Sequence, residues 1–487
     1  MTIWMVMTTK LMTPLTEVIQ SFQNPHDIRG GFGLKPPRAW YDQWPWWLYN
    51  GAWFLGFWAF APVVLLVAVL WQPFRRKICS GWRDKIAFYG AQRRERWQQP
   101  SQQPRIWVHA VSVGEVHALR PLLRLLVPHY EVWISTTTAT GQAQAERLTH
   151  ELCGENRAFY APYDAWPCVS QAMRQLRPQA VIVVETELWP NILLQACQQG
   201  IPAVLVNGRL SQRSFCGYRW LAWLMKPVLE CFSAVLAQSL PDAERFLALG
   251  ASNPIVMGQL KWDYAPSVNQ PLLNELAACL GVHQQEPLPH KPWVVLASTR
   301  GAQAGGLDEE SLLLPVMARL KQSVPRLRCL LAVRHPERAE KVAYWVEQAG
   351  LTVARRSQWL GHEPFDADVV ILDTIGELTT AYRLMSIAVM GGSFIPHGGQ
   401  NPLEPLAVGV PTILGPCMSN FEMIEAELLA AEACAKVASP QELEVLLEDW
   451  LKNPRAALDK AAKAQEVLDR HQGASQRAVA VIQALLA

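Results

Sequence analysis

The sequence predicts an α/β protein in which two doubly wound domains face a cleft and are preceded by one transmembrane helix. Three features predict it: an uncharged apolar run near the N-terminus, two series of short apolar segments alternating with helical patterns, and a polar stretch between the series. A chain of 487 residues is also too long for one core. The net charge of +2 argues against a nucleic-acid partner, and ten scattered cysteines without a C-x-x-C pair exclude a thiolate zinc finger.

The apolar run covers residues 46–71 and contains no charged side chain. At a rise of about 1.5 Å per residue, a helix of this length spans the hydrocarbon layer, which is ~30 Å thick. Tryptophans stand at both ends of the run, as interfacial aromatic residues do in membrane helices. A signal peptide is disfavoured because residues 1–45, for which the pattern predicts no defined structure, precede the run.

A basic stretch follows the apolar run and forms a predicted juxtamembrane linker over residues 72–104. Its basic residues include Arg75, Arg76, Lys77, Arg83, Lys85, Arg93, Arg94 and Arg96. The positive-inside rule therefore puts the rest of the chain in the cytoplasm. We expect a single-pass protein of the inner (cytoplasmic) membrane, with soluble domains facing the cytoplasm and membrane lipids among its partners.

The first soluble domain is predicted over residues 105–265. Its strand candidates are Ile106–Ala110, Val132–Thr136, Ala180–Val184, Ala203–Asn207 and Ala234–Gln238. Helical patterns lie between them. This alternation of near-continuous apolar strands with helices is typical of a parallel sheet covered on both faces.

The alternation stops in a polar, proline-containing stretch and restarts in a second domain, predicted over residues 290–450. Its strand candidates are Trp293–Ala297, Leu327–Val333, Val369–Leu372, Ile387–Met390 and Thr412–Leu414. Residues 451–487 are charged and rich in alanine and leucine, which predicts C-terminal helices. Ligands bind outside the carboxyl ends of strands in such sheets, so the polar residues that follow the strands are the candidate site.

Two kinds of charged residue follow the strands of the first domain. Glu115 stands in the first turn of a predicted helix, where its carboxylate either complements the helix dipole or, facing a cleft, acts as a general base. Glu185 and Glu187 follow another strand. We expect these two carboxylates at a strand end to point in opposite directions, so that at most one faces the cleft directly and the other has a structural role. Lys261 offers a compact positive charge to a phosphate.

Three features follow the strands of the second domain. Arg334 is placed to form a forked pair with a phosphate, and Gly376 permits close approach of the backbone to a ligand. A glycine-rich loop over residues 391–401 leads to a helix predicted to start near Pro402, and its free backbone N–H groups predict an anion site. Glu404 in the first turn of that helix suits a ribose diol better than a phosphate.

Taken together, these motifs resemble the Kdo transferase family, which moves 3-deoxy-manno-octulosonic acid (Kdo) from CMP-Kdo to lipid A precursors. The matching segments are VHAVSVGEV, VVETELWPN, NGRLSQRS, GQLKWD, RHPER, DTIGEL and GQNPLEP, in that order. The resemblance covers residues 105–437 and implies the GT-B fold, with two Rossmann-like domains. It also implies a membrane-anchored, inverting glycosyltransferase of lipopolysaccharide biosynthesis. The implied donor is CMP-Kdo and the implied acceptor is a lipid A-type glycolipid, with no metal or other cofactor.

The resemblance assigns roles to individual residues. Glu115 looks like the base that removes the acceptor's proton, and Glu185 and Lys261 look like the family's transition-state stabilisers. The residues that look like the CMP pocket are Val333, Arg334, Ile375, Gly376, Glu377, Asn401, Pro402, Leu403 and Glu404.

The sequence departs from the family pattern in two places. Gln400 stands where the family has His, and the segment 298–303 (STRGAQ) lacks the His and Glu of the family pattern STHEGEE. Two alternatives stay open: transfer of another CMP-activated acid sugar or to another lipid, and a membrane-tethered scaffold that has lost turnover. The aromatic stretch Trp220–Met225 either helps to seat a lipid acceptor or packs in the core.

Overall fold

The protein is described here by a computed structural model covering residues 48–56, 81–252, 254–263, 269–282, 292–302 and 306–486. The chain divides into two compact units. Unit 1 runs to Asp263 and includes the C-terminal segment from Gly473, and unit 2 covers Tyr264–Gln472. Each unit contains one seven-stranded sheet in which the paired strands run parallel. The predicted pair of parallel α/β domains is confirmed, and the predicted cleft stays a prediction.

The sheet of unit 1 has the strand order β3-β2-β1-β4-β5-β6-β7. Its strands are β1 (Arg105–His109), β2 (Glu131–Thr136), β3 (Ala158–Tyr160), β4 (Ala180–Val184), β5 (Ala203–Gly208), β6 (Ala234–Ala237) and β7 (Pro254–Val256). The helices up to Ala248 are α1 (Trp82–Lys85), α2 (Ala91–Gln98), α3 (Val113–Ala118), α4 (Arg120–Leu126), α5 (Ala139–Cys153), α6 (Trp166–Leu176), α7 (Pro190–Gln198), α8 (Gln212–Trp220), α9 (Ala222–Glu230) and α10 (Leu240–Ala248).

The sheet of unit 2 has the order β10-β11-β9-β8-β12-β13-β14. Its strands are β8 (Trp293–Thr299), β9 (Arg328–Val333), β10 (Val353–Arg355), β11 (Val369–Leu372), β12 (Ile387–Met390), β13 (Thr412–Leu414) and β14 (Ala435–Lys436). Its helices are α11 (Gln270–Leu280), α12 (Glu309–Ser323), α13 (Ala339–Gln348), α14 (Leu378–Ala381), α15 (Leu403–Leu406), α16 (Glu422–Ala430), α17 (Pro440–Lys452) and α18 (Pro454–His471).

Both faces of the unit 1 sheet are buried, as the continuous apolar strands predict. Trp107 and Val181 belong to the apolar cluster on one face, while their neighbours Val108 and Ile182 belong to the cluster on the other. All four side chains are fully buried. Neighbouring strand residues point to opposite faces, so a strand buried on both faces has to be apolar throughout.

Each sheet has one point where the strand order reverses, and this point positions the candidate site. In unit 1 the reversal lies between β1 and β4, and in unit 2 it lies between β8 and β12. The loops after such a pair of strands diverge to opposite faces of the sheet. They leave a crevice at the carboxyl ends, where ligands bind in folds of this type.

The last helix, α19 (Ala474–Leu486), returns the chain to unit 1. The carboxylate of Asp263 accepts hydrogen bonds from the backbone N–H groups of Gly473 (2.7 Å) and Ala474 (3.2 Å), at the start of this helix. Apolar residues of the helix then pack in the core of unit 1 beside α4. The C-terminal helices predicted as one segment, residues 451–487, are therefore divided between the two units.

The predicted membrane anchor falls mostly outside the described residues, as do residues 1–45 and part of the linker. Of the run 46–71, residues 48–56 are described and are helical. Tyr49 donates its hydroxyl to Asp164 in unit 1 at 2.7 Å. Within the described ranges, no helix is long and apolar enough to cross a bilayer.

Candidate active site

Glu115 lies at the reversal point of unit 1, in the first turn of α3. Ser112 is the N-cap of this helix, and the two residues form a reciprocal capping box. The Ser112 hydroxyl donates to the Glu115 carboxylate at 2.6 Å, and the backbone N–H of Val111 donates to it at 2.7 Å. The glutamate is therefore held in one orientation and is only 6% exposed.

The surroundings of Glu115 make it a better proton acceptor than an ordinary glutamate. The pKa of Glu115 is raised to about 6: burial is the largest cause, the hydrogen bonds from Ser112 and Val111 oppose it, and the charges of Glu185 and Glu187 add to it. A base is most effective when its pKa lies near the working pH. The structure therefore shows the carboxylate of Glu115 in the capping box of α3, and its role as a base stays a prediction.

Glu185 and Lys261 come together next to Arg209. Burial raises the pKa of Glu185, while the charges of Lys261 and Arg209 lower it. For Lys261, burial lowers the pKa, the charge of Glu185 opposes that change and the charge of Arg209 adds to it. The three predicted catalytic residues, Glu115, Glu185 and Lys261, are therefore electrostatic neighbours in unit 1. Arg209, in the NGRLSQRS segment, is an additional member of the group.

The expectation that Glu185 and Glu187 point in opposite directions is wrong, because residues two apart in a strand lie on the same face and because β4 ends before both of them. The strand ends at Val184, and Glu185 takes a left-handed conformation with φ of 59°. Beyond that point the alternation of a strand no longer applies, and the charges of both glutamates act on Glu115. Glu187 also accepts the indole N–H of Trp189 at 2.9 Å, which gives it a structural contact as well.

In unit 2, Arg334 follows β9 at the carboxyl edge of the sheet. Val333 is the last residue of the strand and is buried, while Arg334 is exposed and donates its backbone N–H to Thr299 of β8 at 3.0 Å. Arg338 of the same RHPER segment is different. Its guanidinium forms two hydrogen bonds of 2.8 Å with the buried carboxylate of Glu310, so its role is structural.

A buried glutamate that the sequence analysis passed over organises the glycine-rich loop. The carboxylate of Glu309 accepts the backbone N–H groups of Gly392 (2.6 Å), Ser393 (3.1 Å) and Phe394 (3.0 Å), and also that of Arg300 (3.1 Å). Glu309 is fully buried. These three N–H groups of the loop are therefore not available to a ligand, because an internal carboxylate occupies the nest that they form.

The helix predicted to start near Pro402 is the four-residue helix α15, with Pro402 as its N-cap. Asn401 accepts the backbone N–H of Leu403 through its Oδ1 atom at 3.2 Å. Pro402 and Leu403 are buried and Glu404 is partly exposed. The N–H group of Leu403 is therefore also satisfied within the chain.

The segment Ile375–Glu377 lies after β11. Ile375 is 85% exposed, and Gly376 has a φ of 90° with open space around it. Glu377 is held by Arg356, whose Nε donates to it at 3.0 Å. An exposed apolar side chain and an open glycine beside a fixed carboxylate provide a surface that a flat ring can contact.

The altered segment after β8, which lacks the His and Glu of the family pattern, leads to α12. Glu309 and Glu310 stand in the first turn of that helix. Gln303 itself lies outside the described residues.

The aromatic stretch Trp220–Met225 divides between surface and core. Trp220 is 87% exposed at the end of α8, and Leu221 and Trp223 are about half-exposed. Met225 is buried in α9. Core packing therefore accounts for only the last part of the stretch.

Comparison with known proteins identifies the family of the chain. A family model described as 3-deoxy-D-manno-octulosonic-acid transferase (kdotransferase) matches residues 80–264. The chain is 34% identical over 383 residues to the 3-deoxy-D-manno-octulosonic acid transferase of Bordetella pertussis, covering 76% of this chain and 85% of the relative. The enzyme of that name from Haemophilus influenzae is 32% identical over 379 residues, with the same coverage of 76% and 85%.

Among solved structures, the C-terminal CMP-Kdo binding domain of WaaA from Acinetobacter baumannii is 31% identical. The match covers 41% of this chain and 99% of that domain, with a TM-score of 0.36. The extent and identity of the sequence matches settle the family. The chain belongs to the 3-deoxy-D-manno-octulosonic acid transferase family and is a glycosyltransferase of lipopolysaccharide biosynthesis.

Proposed function

We propose that the enzyme transfers Kdo from CMP-Kdo to a glycolipid of the lipid A type, with inversion at the anomeric carbon. The observation that carries the proposal is Glu115, a buried carboxylate that accepts three hydrogen bonds and whose pKa is raised to about 6, mainly by burial. Its neighbours Glu185 and Lys261 support it, because a base beside charged stabilisers is what glycosyl transfer to a hydroxyl requires. The names of the relatives support the sugar.

The proposed reaction is one direct displacement. The acceptor's hydroxyl oxygen forms a bond to the anomeric carbon, and its proton passes to the Glu115 carboxylate. The bond between the anomeric carbon and the phosphate oxygen breaks, and its electron pair leaves with CMP. Attack on the face opposite the leaving group inverts the configuration. Glu185 is suited to stabilise the positive charge that develops on the sugar, and Lys261 the negative charge on the phosphate.

We assign donor binding to unit 2. Arg334 is exposed at the carboxyl edge and suits the phosphate of CMP. The surface formed by Ile375 and Gly376 suits the cytosine ring, and Glu377 and Glu404 offer carboxylates to hydroxyl groups. Asn401, Pro402 and Leu403 set the position of Glu404. Lysine and arginine supply the positive charge here, so we expect no metal ion to be required and activity to survive EDTA.

We assign binding of the lipid acceptor to unit 1, and we assign contact with the membrane to the same unit. Trp220 is 87% exposed and lies in a stretch with the partly exposed Leu221 and Trp223. Aromatic side chains beside basic ones are suited to a lipid headgroup region. The apolar run 46–71 and the basic residues after it support attachment to the inner face of the cytoplasmic membrane.

The proposal is tested with the full chain in membranes. We expect CMP-Kdo and a tetra-acylated lipid A precursor to give CMP and a product heavier by one or more Kdo residues, followed by mass spectrometry. Release of CMP without product would point to another acceptor, and absence of release would point to another CMP-activated acid sugar. Deletion of residues 1–74 is expected to move the protein from the membrane fraction to the supernatant, and continued sedimentation would contradict the proposed anchor.

A further inference from the structure

Three arginines lie at the carboxyl edge of the unit 2 sheet, and they differ in what they bind. Arg338 is fully engaged: both of its terminal nitrogens donate to Glu310, and one also lies 3.2 Å from Asp308. Arg300 follows β8 and Arg334 follows β9. Within the described part of the chain, neither of these two guanidinium groups forms a salt bridge or a hydrogen bond. Two cations at this edge are therefore available to a ligand.

The register of the sheet places these two arginines side by side. After a register shift between Ala297 and Thr299, Thr299 and Val333 are Cα partners across the parallel strands β8 and β9, so Arg300 and Arg334 are the next residues after two neighbouring strands. The backbone N–H of Arg334 donates to Thr299 at 3.0 Å, which extends the pairing to this point. The two positive charges also influence each other, since Arg334 lowers the pKa of Arg300, after the larger effect of burial.

Arg300 is partly buried, and its Nε atom is enclosed without a hydrogen-bond partner in the described structure. Its backbone is fixed, because its N–H donates to Glu309 at 3.1 Å. Glu309 is the carboxylate near it, but three N–H groups of the glycine-rich loop occupy this carboxylate as well. An enclosed N–H donor next to a second cation is costly unless an anion binds there.

The donor class of the proposed function carries two anionic groups in a matching arrangement. In a CMP-activated 2-keto acid sugar, the phosphate oxygen and the sugar's carboxylate are both attached to the anomeric carbon. Two adjacent guanidinium groups are suited to two such groups, because each can form charge-assisted hydrogen bonds with one of them. A neutral sugar on the same nucleotide would leave one arginine without an anion.

Building on the proposed function, we propose that Arg300 binds the carboxylate of the donor's sugar while Arg334 binds its phosphate. Arg300 then selects acidic sugars over neutral ones. This residue stands where the family pattern has His, so the enzyme would recognise the acid through a permanently charged fork that does not depend on pH.

The test compares CMP and CMP-Kdo as ligands of the purified full chain in detergent, by calorimetry. For Arg300→Gln, we expect the affinity for CMP-Kdo to fall about 10- to 100-fold, as for loss of a hydrogen-bonded charge, while the affinity for CMP stays within about twofold. For Arg334→Gln, both affinities should fall together. Arg326→Gln is the matched control, because Arg326 is an exposed arginine just before the amino end of β9, and it should change neither.

Two results would overturn the assignment of Arg300. One is an equal loss of CMP and CMP-Kdo affinity in Arg300→Gln, which would make it a phosphate ligand. The other is unchanged affinity for both. Partial recovery in Arg300→Lys would support the carboxylate contact, because lysine keeps the charge without the fork. If the wild-type enzyme binds CMP-Kdo but never turns it over, the proposed transfer fails while the binding comparison still decides the role of Arg300.

Discussion

The two units have sheets with the same kind of order reversal but opposite chemistry at that point. In unit 1 the reversal between β1 and β4 gathers carboxylates, with Glu115 buried and its pKa raised. In unit 2 arginines and backbone N–H groups lie near the reversal between β8 and β12. The carboxylate of Glu309 is fully engaged there in hydrogen bonds with the glycine-rich loop. One edge is therefore suited to removing a proton and the other to holding an anion.

The difference shows that the sheet decides where a site forms and the loops decide what it does. Both sheets are built from buried apolar strands whose composition carries no chemistry. The functional groups are the first few residues after each strand, where side chains are no longer constrained by core packing. The proposed difference between the two units can be tested by substituting single residues at the carboxyl edge of either sheet.

The largest expected effect is on the acidic edge. Glu115→Gln should lower kcat by about 10²- to 10⁴-fold, because the amide cannot accept the acceptor's proton. CMP binding, assigned to unit 2, should be unchanged. The measurement is steady-state transfer together with calorimetry for CMP.

Glu115 also caps α3, so the control for this prediction is Ser112→Ala. That variant removes the capping hydroxyl but keeps the carboxylate. It is expected to lose about 1 kcal/mol of stability while most of the activity remains. Comparable activity in Glu115→Gln and the wild type would show that Glu115 is not the base. The proposed chemical difference between the two units would then be wrong.

The next effect is on the basic edge. Glu309→Gln should raise the KM for CMP-Kdo by at least about tenfold, because an amide cannot accept all four N–H groups that hold the glycine-rich loop and Arg300 in place. The measurement is kcat and KM, with the melting temperature recorded in parallel.

Glu310→Gln is a matched control, since Glu310 is the adjacent residue, is equally buried and pairs with Arg338 instead of the loop. It should lower the melting temperature but leave the KM for CMP-Kdo within about twofold. If both variants change KM alike, Glu309 acts only through the stability of unit 2.

The smallest effect is a shift in pH dependence. With the pKa of Glu115 raised to about 6, kcat/KM should fall with a slope of one proton as the pH drops below that value, because the protonated carboxyl cannot act as a base. Ser112→Ala removes a hydrogen bond that lowers this pKa, so the acidic limb should move to higher pH. Glu187→Gln removes a charge that raises the pKa, so the limb should move to lower pH.

The readout is the pH profile of kcat/KM for the three proteins with CMP-Kdo. Opposite shifts in the two variants would identify Glu115 as the titrating group. If the acidic limb of the kcat/KM profile lies near the ordinary glutamate pKa of about 4.3 and neither substitution shifts it, the titrating group is another residue.

Ten of the strands were predicted from apolar runs, and the four that were missed lie on the two sides of each sheet. The missed strands are β3, β7, β10 and β14, each of two or three residues. An edge strand of two or three residues buries little apolar surface, so its hydrophobic pattern is too weak to recognise in the sequence. The central strands are buried on both faces and are therefore visible as continuous apolar runs.

The site shows a similar division. Glu115, Glu185, Lys261 and Arg334 were found because each directly follows a recognisable strand or a family motif. Glu309 was missed because it lies in a helix, and a glutamate in the first turn is normally explained by the helix dipole. Its partners are more than 80 residues further along the chain, in the glycine-rich loop.

By itself, the sequence determined the two parallel sheets, the identity of the residues after their strands and the family. These follow from local pattern and short motifs. Only the tertiary structure decided that the nest of the glycine-rich loop is filled by Glu309 and that α19 belongs to unit 1. It also decided that Arg338 is paired, while the guanidinium groups of Arg300 and Arg334 have no partner among the described residues. The physical reason is that charge pairing and burial depend on groups that are distant in the chain, and no local pattern records them.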